Sequence, residues 1–351
     1  MSREIHVVAL GAWTPVGRTA ASAAAAVRAG ISRIQEHPEW VDAAAEPLYG
    51  AFDPTLSGDL QGGPRLLELT RCGLLSLAAE LPRALPAAAP SLLLALPEPR
   101  PGWTSADDGA VLEGLRPLEL PQLGRPRVAA VLRGHAGGLQ AIEQAAQRIR
   151  DGREPVCIVG GADSYWQPQT LAWLSREQRL RVTGARSGFF PGEASGFVLL
   201  ASDAARRQLG LPSLALLRAA HSHVEAVRVG SDEDCLGVGL AELLSRVAAS
   251  GLAAGERIDE LYGDLNGERY RTDEWGFALL RAAGFFRDPT ASIHIPADAW
   301  GDVGAASGPL CVALASRAWA RGYARGPLAL AFAGSDSGAR AAVLLERGSE
   351  R

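Results

Sequence analysis

Arg133-Gly134-His135-Ala136-Gly137-Gly138-Leu139-Gln140-Ala141-Ile142 decides how this chain is read. Small residues crowd a point where a helix begins, for Gly138–Arg150 has a strongly helical pattern and closes at Asp151-Gly152. That is the layout of a tight turn presenting one side chain, here His135, at a helix N-terminus. Free backbone N–H groups there favour an anion and lower the pKa of a thiol or an imidazole. A helix start that merely packs closely against a neighbour uses the same residues. Spacing alone favours that plainer reading.

Outward from this stretch, strands and helices alternate with Gly-rich corners between them. Ile5–Ala9, Ser91–Leu96, Val156–Val159 and Phe197–Ala201 read as strands. Val156–Val159 is a continuous apolar run of the kind buried on both faces. Thr19–Ala29, ending at Gly30, and Pro64–Leu81, stopped by Pro82, read as helices. The alternation repeats after a break near Asp203–Pro212. Ser213–Ala220, Glu260–Asp264, Pro327–Ala333 and Ala339–Leu345 read as strands; Gly237–Ala249, Trp275–Ala283 and Ala305–Arg321 read as helices. The expected division is therefore residues 1–203 and 212–351, two halves of similar pattern without a clear sequence repeat.

Four stretches occur in the order of a known family. His135-Ala136-Gly137-Gly138-Leu139-Gln140-Ala141-Ile142 resembles the Cys-x-Ser-Gly-Leu-x-Ala-Ile of the β-ketoacyl-(acyl carrier protein) synthases of the thiolase superfamily. Gly160-Gly161-Ala162-Asp163-Ser164 is similar to their Gly-Gly-x-Glu/Asp-Ser. Gly188-Phe189-Phe190-Pro191-Gly192-Glu193-Ala194-Ser195 resembles Gly-Phe-x-x-Gly-Glu-Gly-Ala, and Gly11-Ala12-Trp13-Thr14-Pro15-Val16-Gly17 resembles Gly-x-x-Thr-Pro-x-Gly. The resemblance spans roughly the whole chain. It implies an α/β fold, the thiolase-like layered α/β/α/β/α arrangement built of two similar halves.

The resemblance also implies a replaced catalytic set. His135 stands where the family carries its nucleophilic cysteine. Asp264, in Asp264-Leu265-Asn266-Gly267-Glu268, stands at the histidine of His-Gly-Thr-Gly-Thr. In Ala297-Asp298-Ala299-Trp300-Gly301-Asp302, Ala297 and Asp302 replace the lysine and histidine of Lys-x-x-x-Gly-His. The family's chemistry needs a thiolate to hold the acyl group and neutral imidazoles to stabilise the enolate and oxyanion. Ionised carboxylates cannot donate those hydrogen bonds. His135, Asp264 and Asp302 are expected to converge in one pocket, with Phe332 (at the family's gating phenylalanine), Asn266 and Phe190 as binding candidates. Asn266, the sole asparagine, precedes Gly267 in a strong turn signal.

A degenerate synthase-like protein is the leading expectation. It would resemble a chain-length factor, as a homodimer or as a heterodimer with a ketosynthase, meeting acyl carrier protein or acyl-CoA in fatty acid or polyketide biosynthesis. An acyl-thioester hydrolase or acyltransferase rebuilt around His135 is the alternative. A non-catalytic binding or assembly protein, its pocket filled by side chains, is a third.

Composition narrows the rest. The chain has 351 residues with a net charge of −4, which gives no basis for nucleic-acid binding. All 35 basic residues are arginine, so no lysine is available for a Schiff base. The four cysteines, Cys72, Cys157, Cys235 and Cys311, form no Cys-x-x-Cys pair and read as filler. His221, His223 and Glu225 would share a strand face, but lack a further ligand, so no metal and no cofactor are expected. Arg176, Arg179, Arg181 and Arg186 read as a solvated loop or as a contact for an acidic carrier. No apolar run reaches membrane-span length, and the start carries no secretory pattern, so a cytoplasmic protein is expected.

Overall fold

The computed structural model describes residues 4–41, 45–85, 90–182, 184–288 and 293–349. Its strands are β1 (Ile5–Trp13), β2 (Gln35–Val41), β3 (Pro47–Gly50), β4 (Ser91–Leu96), β5 (Arg127–Leu132), β6 (Val156–Ser164), β7 (Glu193–Ser202), β8 (Ala215–Val224), β9 (Glu260–Gly263), β10 (Ile293–His294), β11 (Leu328–Gly334) and β12 (Ala339–Arg347). Its helices are α1 (Ala20–Arg28), α2 (Gly62–Ala79), α3 (Ser105–Leu115), α4 (Gly134–Arg150), α5 (Pro168–Arg176), α6 (Asp203–Leu209), α7 (Val238–Gly251), α8 (Arg269–Ala282), α9 (Ala297–Trp300) and α10 (Ser307–Ala320). No helix among the described residues is long and apolar enough to cross a membrane.

Ten strands form one mixed sheet in the order β10-β9-β11-β12-β8-β1-β7-β6-β4-β5. From the central seam, where His6 faces Leu216, the two arms match strand for strand. In each arm the first two neighbours pair antiparallel, β1–β7 and β7–β6 on one side, β8–β12 and β12–β11 on the other. The outer pairs are parallel: β6–β4–β5 and β11–β9–β10. Strands of the first arm all precede residue 203, and those of the second all follow residue 212.

The apolar strand runs are explained by burial on both faces. In β7, Val198 and Leu200 face the core around α4 and α10, while Phe197, Leu199 and Ala201 face the core under α2 and α3. In β11, Ala329 and Ala331 face α4 and α10, while Leu330 and Phe332 face the core under α7 and α8. Period-two alternation thus serves two cores at once. Helices α4 and α10 form the middle layer, touching strands of both arms. The order α2/α3, sheet, α4/α10, sheet, α7/α8 is the five-layered α/β/α/β/α arrangement.

The middle layer requires backbone-to-backbone contact. A Cβ on Gly161 of β6 would lie 1.9 Å from the Ala305 carbonyl oxygen, and one on Gly138 of α4 would lie 2.3 Å from Pro309 Cδ. Gly161→Ala is therefore expected to destabilise by about 1–3 kcal/mol through overpacking. Gly109→Ala in α3, where nothing lies within 4 Å, is expected to be neutral or slightly stabilising. Urea midpoints for the two variants check the contrast.

Candidate functional site

Strand β5 ends at Leu132, and α4 begins two residues later at Gly134, whose φ of +51° favours glycine. The helix therefore starts four residues before the Gly138 that the sequence pattern suggested. Helix propensity disfavours glycine, but close packing of Gly137 and Gly138 against β4 and α10 overrides it. His135 falls in the first turn of α4 and is 7% exposed. One of the N-terminal amides is occupied, since the Ala136 N–H donates to Ser335 Oγ at 2.9 Å. The Ser335 hydroxyl in turn donates to the Arg133 carbonyl.

The His135 Nε2–H donates to both carboxylate oxygens of Asp302, at 2.8 and 3.0 Å. Asp302 also accepts from Asn266 Nδ2 at 2.6 Å, from the Gly304 N–H at 2.8 Å and from the Tyr165 hydroxyl at 3.4 Å. Its backbone is fixed as well, donating to the Phe190 carbonyl at 2.7 Å and accepting from the Gly192 N–H at 2.9 Å. Burial opposes ionisation of Asp302, but the His135 imidazolium and Arg271 outweigh it and hold the carboxyl well below its usual range. Burial likewise opposes protonation of His135, and the Asp302 carboxylate outweighs it, so the imidazole sits above its ordinary value. The two form a buried hydrogen-bonded pair in which the ionised form of each favours that of the other. Among the described residues, His135 Nδ1 has no hydrogen-bond partner.

Asp264 does not bond to His135. Its Oδ2 accepts from Arg271 Nη1 and from the Gly334 N–H, both at 2.8 Å. Of the three residues expected to converge, His135 and Asp302 are in direct contact, while Asp264 and Asn266 line a small cavity with Asp302, which Asn266 also hydrogen-bonds. Asn266 also bonds Glu268, through Nδ2 at 3.0 Å and by accepting the Glu268 N–H at 3.0 Å. Phe332 points away from His135 into the outer core, stacked on Trp275 at 4.6 Å. Phe190 reaches the site through its carbonyl, and its neighbour Phe189 supplies the ring, 5.5 Å from Tyr165.

An open cavity of about 440 Å³ adjoins His135. Tyr165, Trp173, Leu174, Phe189 and Leu132 give it an apolar wall. Arg100, Arg133 and Arg179 line it together with Glu98, Asp163 and Asp336. Arg100 donates to Asp163 at 2.6 Å and stacks over Tyr165. Arg179 is not in a solvated loop: it binds Glu268 at 2.7 Å and Asp336 at 2.6 Å, with its side chain mostly buried. Asp336 also accepts from the Tyr270 hydroxyl at 2.8 Å, and its guanidinium neighbours hold it below the usual carboxylate range against burial. No sequence signal marked Arg100, Tyr165 or Trp173; they come to the cavity from the loop after β4, the residue after β6 and α5 only through the fold. No cysteine lines it, and burial pushes the Cys157 thiol up to about 12. His221 and His223 take separate partners, Ser250 at 2.8 Å and Glu242 at 2.8 Å, and build no metal site with Glu225.

The sequence profile of the Beta-ketoacyl synthase, N-terminal domain, matches residues 133–205, from the start of α4 into α6. One similar solved structure is described as a type II polyketide synthase acyl-carrier protein in complex with its ketosynthase bound to the hexaketide (AntDE:AntF). It has 13% identity and a TM-score of 0.82, covering 99% of this chain and 100% of that one. The chain has the thiolase-like ketosynthase fold. The oxazolomycin ketosynthase domain OzmH KS7 of Streptomyces albus JA3453 shares 18% identity at a TM-score of 0.75, covering 99% of this chain and 76% of that one. The ishigamide ketosynthase/chain length factor shares 21% at a TM-score of 0.69, covering 98% and 99%. The chain matches no curated protein by sequence.

The ion pair makes stability pH-dependent in a defined way. His135, raised in the folded state, contributes stability that is full below about pH 6.5 and is lost as pH rises through its folded value. Asp302, depressed, contributes stability that is present above about pH 4 and is lost as pH falls. Asp302→Asn is expected to lose about 3 kcal/mol or more near pH 6, because it leaves a buried imidazole without its counter-ion. The gap to the parent protein should narrow at higher pH. Urea denaturation across pH 5 to 9 checks this, and a constant gap contradicts it.

Proposed function

We propose that this ketosynthase-fold chain does not condense acyl groups and works beside a catalytic partner, in the manner of a chain-length factor. One observation carries the reading: the side chain at the head of α4 is an imidazole bound through Nε2 to Asp302, which raises its proton affinity, and no thiol lines the cavity. A protonated ring has no lone pair with which to attack a thioester. Asp302, ionised and accepting on both oxygens, would repel the negative charge that develops on an enolate.

The partner half of the reading draws on two features. The similar structures include a ketosynthase/chain length factor and a ketosynthase with an acyl-carrier protein, and what those assemblies hold is carried here as proposal. Strand β5 lies at the edge of the ten-stranded sheet, paired only to β4, with Arg127, Ala129 and Leu132 exposed. Such an edge offers unpaired backbone groups to another strand. Leu132 also lines the cavity, so a chain docked there would reach the cavity rim.

A rebuilt hydrolase or acyltransferase is the second reading, favoured by the partnerless Nδ1 of His135 beside an open cavity. A purely assembling protein has less support, since side chains do not fill that cavity.

Incubation with acyl-CoA and acyl-carrier thioesters tests the choice. The expected outcome is no condensation, no covalent adduct by mass spectrometry, and co-purification with a co-expressed ketosynthase. Thioester turnover that falls by about a hundredfold or more in His135→Ala overturns the first reading in favour of the second. A homodimer that ignores ketosynthases overturns the partner half.

A further inference from the structure

We infer that the cavity beside His135 is a binding site for the carboxylate of a free acyl or aryl acid, held by Arg133, Arg100 and the His135 imidazole. The inference rests on the reading above that this cavity holds an acyl chain without condensing it.

At the cavity, donors are left over while the acceptors are already engaged. Every carboxylate at the cavity is accepting hydrogen bonds on both oxygens. Asp163 accepts from Arg100 at 2.6 Å and from the Ala305 N–H at 3.0 Å. Asp336 accepts from Arg179 and Tyr270. Glu98 accepts from the Ser337 hydroxyl and, at 3.3 Å, from the Ser337 N–H. Behind the wall, Asp302 is taken by His135, Asn266 and Gly304.

The donors are not matched in this way. Among the described residues, the Arg133 guanidinium has no hydrogen-bond or ion-pair partner. Arg100 uses Nη2 on Asp163 and on the Ser164 carbonyl, but its Nε is buried without a partner in a side chain only 9% exposed. His135, equally buried, has Nε2 committed and Nδ1 uncommitted. Arg100 Nε is a buried donor without an acceptor, which is unfavourable by itself, so a ligand that brings an acceptor is stabilised there, with the exposed Arg133 and the uncommitted His135 Nδ1 at hand to add contacts. A guanidinium's planar fork suits the two oxygens of a carboxylate.

Two further features narrow the ligand. The lining already carries Glu98, Asp163 and Asp336, so a singly charged head group is favoured over a doubly charged phosphate. Trp173, Tyr165, Phe189 and Leu174 present a mainly aromatic wall to whatever follows the head group. About 440 Å³ falls in the range of small-molecule pockets and admits an acid of medium chain length or one aryl ring.

Calorimetric titration of the full chain with octanoate, 3-phenylpropionate and octanamide at pH 7 tests this. Both acids are expected to bind, and octanamide to bind at least about tenfold more weakly than octanoate, the difference of one charge-assisted contact. Arg133→Gln is expected to weaken octanoate by about tenfold and to leave octanamide unchanged. Arg133 is exposed and its side chain is unpaired, so this variant should keep the parent's circular dichroism and melting temperature. Equal binding of acid and amide, unchanged octanoate affinity in Arg133→Gln, or no heat from either acid at millimolar concentration overturns the inference. A chain that condenses thioesters yet binds octanoate through Arg133 keeps the carboxylate site and refutes the non-condensing reading. A chain inert toward thioesters that binds neither acid does the reverse.

Discussion

The hydrogen-bonded pair of His135 Nε2 with Asp302 holds four separate segments in register. His135 opens α4. Asp302 is clamped through its side chain by Asn266 and Gly304 and through its backbone by Phe190 and Gly192. Around it, Arg179 and Arg271 tie the 264–268 segment to the turn after β11. A buried ion pair is weak evidence for net stability, since its desolvation opposes its attraction. Its clearer consequence is chemical. It fixes the ring orientation and favours the proton on the ring, and a protonated imidazole has no lone pair for nucleophilic catalysis.

The frame of the fold is separate from the site. The five layers depend on glycines where α4 meets α10 and where β6 meets the turn just before α10, at which Gly138 and Gly161 admit Pro309 and the Ala305 carbonyl. They depend also on strands that alternate between two cores. Neither demand touches position 135 or position 302. His135 and Asp302 sit at the start of α4 and in the turn before α10, outside those contacts, and each favours the ionised form of the other.

Much of this was legible from residue pattern. The strand at Ser91–Leu96 matches the observed bounds, and most of the other strands and helices differ only at their ends. The match of motifs in order carried the fold class. What escaped was tertiary. The start of α4 at Gly134 runs against glycine's helix propensity and is imposed by packing. Phe332 matched a motif, but strand alternation turns it into the outer core. Arg179 looked like one of several exposed arginines until Glu268 and Asp336 came to it from residues far along the chain. Asn266 was singled out for being the sole asparagine, yet nothing in sequence said that it, and not Asp264, would touch Asp302.

The protonation state of His135 tests the central claim most directly. In protein labelled with ¹⁵N at histidine, with the signal assigned by its loss in His135→Gln, the account predicts imidazolium shifts for both ring nitrogens at pH 7, shifting to a neutral ring in Asp302→Asn. A neutral His135 at pH 7 in the parent protein, with Nδ1 carrying a free lone pair, would contradict it.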